Sequence, residues 1–85
     1  MQADSIPGAV VDAIQTLDAR GLACPLPLLK AKQALRHLSS GECLRVLATD
    51  RGSLRDFKAF ADLSGNTLLE QSEQQGVLTH LLQKA

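Results

Sequence analysis

Two prolines bracket one residue directly behind a cysteine in Cys24-Pro25-Leu26-Pro27. Proline has no N–H to donate and its ring fixes φ, so it is excluded from helix interiors and central strands. It fits the first turn of a helix, where the N–H has no intrahelical partner. The segment therefore predicts a helix start with Cys24 at its mouth. Leu28, Ala31, Ala34, Leu35 and Leu38 follow at three- and four-residue spacing, which makes one apolar stripe. Lys30, Gln33, Arg36 and His37 fall largely on the opposite side. Ser39-Ser40-Gly41 predicts the helix end, with Gly41 as a left-handed cap.

The flanking segments set the remaining elements. Apolar and polar residues alternate from Ala13 to Asp18, which predicts a strand, and Arg20 to Ala23 reads as a loop. A second strand is expected where Leu44, Val46 and Ala48 alternate with Cys43, Arg45, Leu47 and Thr49. After the turn Asp50-Arg51-Gly52, Ser53-x-x-Asp56 resembles a capping box. Leu54, Phe57, Ala61 and either Phe60 or Leu63 form the stripe of a second helix, which Gly65-Asn66 stops. Thr67 to Ser72 and Val77 to Gln83 are two further strands around a hairpin turn at Glu73-Gln74-Gln75-Gly76.

The order is βαβαββ. Right-handed strand–helix–strand crossovers put both helices on one face of one sheet. The expected fold is an α/β (α+β) two-layer sandwich with a mixed four-stranded sheet. Residues 1–11, broken by Pro7-Gly8, are expected to form a flexible N-terminal leader before a single domain over 12–85.

Composition narrows the function. A chain of 85 residues makes one domain with little room for a deep cavity. Nine basic side chains balance nine acidic ones, so sequence-independent binding of nucleic acid has no basic surface to rest on. Two Phe, with no Tyr or Trp, leave almost nothing for base stacking. No stretch approaches the roughly 20 apolar residues of a membrane span. The opening MQADSIPGAVVDA lacks the basic start and apolar run of a secretory signal. A cytoplasmic, reducing setting is expected, with both cysteines as free thiols and the chain as a monomer.

Charge is uneven along the chain. Residues 19–45 carry Arg20, Lys30, Lys32, Arg36 and Arg45 against Glu42 alone, and this segment contains Cys24. A helix N-terminus offers unpaired N–H groups and the positive end of the macrodipole. Cysteines so placed, or beside basic groups, have lowered pKa values. The expectation is an acidic, nucleophilic Cys24, its sulfur aimed by Pro25 and Pro27. The remaining alternative is a structural cysteine, and for the basic residues a solvated helix face.

The run Leu17-Asp18-Ala19-Arg20-Gly21-Leu22-Ala23-Cys24-Pro25-Leu26-Pro27 resembles the signature of the TusA/SirA/YedF sulfur-carrier family. That signature is a CPxP motif after an LDxxGxxC lead-in, and the order of elements over 13–85 is similar too. The resemblance implies a sulfurtransferase-type carrier. Such a protein accepts sulfane sulfur as a persulfide from a cysteine desulfurase or rhodanese-like donor. It then relays the sulfur to an acceptor protein, in tRNA thiolation, molybdenum-cofactor or related sulfur trafficking. Cys24 matches the sulfur-bearing position, and Pro25, Pro27, Asp18 and Gly21 match positions that shape it. Arg20, Leu22, Leu26, Lys30 and Lys32 surround it in sequence and are the expected docking residues. No cofactor is implied. The chain departs from the pattern at Asp50-Arg51, where Asp-Pro is common, and at Leu26, where some relatives have Glu.

Other candidates are weaker. Cys43 opens the second strand without a helix terminus or proline, which favours packing over a role as resolving partner for Cys24. Cys24, His37, Cys43 and His80 lack the short spacings of a zinc site, so no metal is expected. His37 and His80 are expected to be ordinary surface residues. A second functional class stays open, a non-catalytic regulatory or protein-binding module of the same fold.

Overall fold

The computed structural model describes residues 14–85. The expected leader over 1–11, and the start of the expected domain at residues 12 and 13, lie outside them. Four strands and two helices follow in the order β1 (Ile14–Ala19), α1 (Leu26–Leu35), β2 (Cys43–Ala48), α2 (Gly52–Ser64), β3 (Thr67–Gln74) and β4 (Val77–Gln83). The strands form one sheet in the order β1-β2-β4-β3. β1 runs parallel to β2, with Leu17 opposite Val46 and Ala19 opposite Ala48. β4 runs antiparallel to both β2 and β3. The sheet is therefore mixed, as the element order implied.

Alternation in the strands determines which side chains meet the helices. Leu44, Val46 and Ala48 of β2 are buried, as are Leu78, His80 and Leu82 of β4. Their registers pair Leu44 with Leu82, Val46 with His80 and Ala48 with Leu78, so one face of the sheet is continuous core. Ala31 and Leu35 of α1 and Phe57 and Ala61 of α2 complete it, with Leu17, Leu28, Phe60 and Leu68 at its margin. Of the two residues open for the α2 stripe, Phe60 packs inward and Leu63 is 88% exposed. Burying a side chain such as Phe57 contributes about 1.5–3 kcal/mol.

Helix ends differ from expectation in two places. α1 stops at Leu35 rather than running to Ser39. The amides of Arg36, His37 and Leu38 turn back to the carbonyls of Gln33, Ala34 and Leu35 in tighter i→i−3 bonds. The Lys84 ammonium also donates to the Leu35 carbonyl, at 2.6 Å, and adds a second donor at the helix end. Gly41 is left-handed at φ +88°, but its N–H goes to the Lys84 carbonyl, so it turns the chain into β2 rather than capping α1. The second difference is Ser53, which makes no capping box with Asp56. α2 begins two residues earlier, with Arg51 rather than Ser53 at the N-cap, and the Asp50 carboxylate accepts the Gly52 N–H at 3.0 Å. Gly65 ends α2 in the left-handed conformation, and Gln75-Gly76, both at positive φ, close a tight hairpin between β3 and β4. A register shift between Leu68 and Glu70 leaves Leu69 half exposed.

His80 corrects the sequence reading outright. It is fully buried, stacked on Phe57 with ring centroids 4.3 Å apart. Its Nε2 lies 2.9 Å from Ser53 Oγ and its Nδ1 lies 3.1 Å from Gln71 Nε2. Gln71 Nε2 also donates to the Leu54 carbonyl, which fixes its amide as donor. Nδ1 is therefore the acceptor and the ring proton sits on Nε2. Nε2–H donates to Ser53 Oγ, whose own hydrogen goes to the Asp50 carbonyl at 2.7 Å. The chain of donors is complete, as burial requires.

Candidate functional site

β1 and β2 are parallel, so their C-terminal ends open at the same edge of the sheet, and both helices start there. That edge carries Cys24. β1 ends at Ala19, and Gly21 turns the chain at φ +83°, a conformation that glycine adopts without steric cost. The Gly21 N–H donates to Thr49 Oγ1 at 2.9 Å and ties this turn to the end of β2. Asp18, expected to shape the site, accepts the Arg20 N–H at 3.1 Å and pairs with the Arg20 guanidinium through two contacts of 2.9 Å. That guanidinium holds the Asp18 carboxyl at about 2. Arg20 thus has its charge met locally.

Cys24 is exposed and directly precedes Pro25, the N-cap residue of α1. The Cys24–Pro25 peptide is cis. The Leu26 N–H bonds back to the Ala23 carbonyl and Pro27 has none, so the two prolines and this turn leave the helix mouth few free donors. Pro27 is buried and anchors the turn on the core, while Pro25 stays exposed.

The second wall comes from α2. Cys24 Sγ donates to Asp56 Oδ2 across 2.6 Å. Gly52 lies so close that a Cβ there would sit 3.4 Å from Cys24 Cβ and 3.5 Å from Sγ. The charges that surround the sulfur in space are therefore Asp56 and Asp50 as well as Arg55, not only the basic residues near it in sequence. The expected lowering of the thiol pKa is overturned. The Asp56 hydrogen bond, then burial, then the charges of Asp56 and Asp50 push the Cys24 thiol up, against a smaller opposite pull from Arg55. The sequence marks Asp56 only as the acid of a capping box, because its contact with Cys24 spans 32 positions and leaves no local signal.

A groove of about 410 Å³ opens beside this pair, lined by Leu28, Lys32, Asp56, Phe60 and Leu63 among others. The Lys32 ammonium stands 5.8 Å from the Phe60 ring centre. Leu26 and Leu29 are each 45% exposed nearby, Lys30 is exposed, and Leu22 packs half-buried against the core. Of the expected docking residues, Lys32 lines the groove, Leu26 and Lys30 lie exposed on α1, and Arg20 is held by Asp18. Cys43 sits at the opposite end of the sheet, in register with Ile14, whereas Cys24 follows Ala19. Five strand steps of about 3.3 Å separate those ends, so Cys43 stands on the order of 17 Å from the Cys24 edge. Among the described residues, no three His, Cys, Asp or Glu side chains gather as metal ligands. No helix among them is long and apolar enough to cross a membrane.

A family model described as sulfurtransferase TusA matches residues 15–84. The chain belongs to the TusA sulfurtransferase family. It is 50% identical over 76 residues to a sulfur carrier protein TusA of Allochromatium vinosum, covering 89% of this chain and all of that one. It is 41% identical over 73 residues to a sulfur carrier protein TusA of Pseudomonas putida, covering 86% and 89% of the two chains. Among solved structures, a SirA-like protein from Desulfitobacterium hafniense superposes with a TM-score of 0.73 at 32% identity, over 82% of this chain and 95% of that one. The TusA fold and the βαβαββ reading of the sequence agree.

Proposed function

We propose that this TusA-family protein is a sulfurtransferase-type carrier that holds sulfur as a persulfide on Cys24. The observation that carries the reading is an exposed thiol at the shared mouth of two helices, beside an open groove, in a chain half identical to a sulfur carrier protein over its whole length. A carrier must present its sulfur to two other proteins in turn, and an exposed edge allows this where a deep pocket would not. The donor is of the cysteine desulfurase or rhodanese-like type. The acceptor is a sulfur-relay protein in the cytoplasm, serving tRNA thiolation, molybdenum-cofactor or related sulfur traffic. The donor seats against Leu22, Leu26, Lys30 and Lys32, which lie near Cys24 in sequence, with Arg20 at the margin.

Transfer is an exchange at sulfur. A thiolate attacks the outer sulfur of the donor persulfide, the donor S–S bond breaks, and the donor cysteine leaves as its thiolate. Pro25, Pro27, Gly21 and Asp18 build the turn that aims Sγ outward. Incubation with a cysteine desulfurase and radiolabelled cysteine tests the reading. Label retained by the protein and released by dithiothreitol supports it. Label that never leaves the desulfurase contradicts it.

A further inference from the structure

We propose that Asp56 is a catalytic residue of sulfur transfer, the group that receives the Cys24 proton and returns it to the displaced sulfur. The inference rests on the reading of Cys24 as the sulfur-bearing residue, and it adds an acid–base partner from a different element. Asp56 is one turn into α2, half-buried, and its Oδ2 is the acceptor of the thiol hydrogen at 2.6 Å. Proton transfer needs this separation, within hydrogen-bond reach of the atom that gives up its proton. The same carboxylate lines the groove beside Cys24, so it also faces an incoming group. Gly52 leaves no side chain at its own position to crowd the sulfur.

The step balances without a redox partner. Cys24–SH and a donor persulfide R–S–SH give Cys24–S–SH and R–SH. As Sγ forms a bond to the outer sulfur, its proton moves to Asp56 Oδ2. The S–S bond of the donor breaks, and its electron pair stays on the inner sulfur. That thiolate then takes the proton from Asp56. Delivery to an acceptor thiol is the same exchange in reverse. At rest the proton lies on sulfur, where the Cys24 thiol donates it to Asp56 Oδ2 in a hydrogen bond. The resting protein therefore keeps a protonated thiol, in line with the upward push that Asp56 exerts on it. A bound persulfide supplies the electrophile that draws the proton across.

This arrangement makes two readouts move in opposite directions when the charge is removed. Asp56→Asn keeps the shape but cannot take a proton. Alkylation of Cys24 by iodoacetamide, followed against pH, should then shift to a lower midpoint and run faster near neutrality. Single-turnover sulfur uptake from glutathione persulfide should slow by about 100-fold or more, the usual contribution of a general acid–base group. Asp56→Glu, which restores a carboxylate, should recover part of the uptake. Circular dichroism checks that each variant is folded.

An Asn variant that takes up sulfur as fast as the unchanged protein, or faster in step with its alkylation, overturns the proposal, because Asp56 would then only set the charge around the thiol. Cys24→Ser separates this failure from failure of the carrier reading. Sulfur uptake lost in Cys24→Ser but unchanged in Asp56→Asn removes the role of Asp56 alone. Uptake that persists in Cys24→Ser removes the assignment of Cys24 and Asp56 together.

Discussion

Gly52 faces Cys24 across the mouth of the two helices, so closely that a Cβ added to the glycine would lie 3.5 Å from the cysteine sulfur and 2.9 Å from Asp50 Oδ2. Its φ is not positive, so a side chain at this position meets neighbours rather than backbone strain. Gly52→Val should displace the Asp50 carboxylate from the Gly52 N–H it caps, at a cost of about 1 kcal/mol. Crowding adds about 1–3 kcal/mol of overpacking. Its branches should also cover the sulfur. Urea unfolding should show the loss of stability, and alkylation of Cys24 should slow several-fold. Gly52→Ala, which adds only the Cβ, should show the same effects at smaller size.

Acid should weaken the fold through His80. Burial lowers its pKa from 6.5 to about 4. The unfolded chain therefore binds a proton before the folded one does, and stability falls as the pH drops through 6.5 toward 4. Above 6.5 the ring is neutral in both states and contributes no slope. The full loss is roughly 3 kcal/mol, the free-energy equivalent of lowering that pKa from 6.5 to about 4. Urea unfolding from about pH 7 to about pH 4 measures it. His80→Gln, which cannot titrate there, should be less stable at pH 7 and have a flatter pH dependence. An equally steep profile in that variant would place the acid sensitivity elsewhere.

The burial of His80 was legible in its strand pattern but outweighed by residue type. His80 is in phase with Leu78 and Leu82, and Thr79 and Leu81 lie on the other face. Period alone places it in the core, and Gln71 and Ser53 on neighbouring elements supply its partners. The element order was legible because Pro25, Pro27, Gly65 and the Gln75-Gly76 turn punctuate the chain locally. The end of α1 was not, since the ammonium that meets its last carbonyl comes from Lys84, 49 residues on. The acidity of Cys24 failed for the same reason. Local sequence displays Lys30 and Lys32, whereas the fold brings Asp56 and Asp50 to the sulfur.

Charge on α1 should control how fast a donor protein finds Cys24. Arg20 is paired with Asp18, but Lys30 and Lys32 are exposed and have no ion pair within 4 Å among the described residues. Complementary charge acts mainly on association rate and is screened by salt. Lys30→Glu with Lys32→Glu should slow single-turnover transfer from a desulfurase donor and flatten its dependence on salt. Transfer from glutathione persulfide should change little, because a small donor does not need the docking face. Circular dichroism should be nearly unchanged, since exposed helix charges contribute little to stability. Unchanged rates with the protein donor would show that docking runs through the apolar side chains Leu22 and Leu26.

Intact-mass spectrometry reads directly whether one sulfur atom resides on Cys24. The protein, Cys24→Ser and Cys43→Ser are each exposed to a cysteine desulfurase with cysteine and weighed without reductant. A gain of one sulfur atom is expected in the unchanged protein and in Cys43→Ser, whose site lies at the far end of the sheet, and no gain in Cys24→Ser. A sulfur adduct that survives Cys24→Ser, or disappears with Cys43→Ser, would contradict the assignment to Cys24.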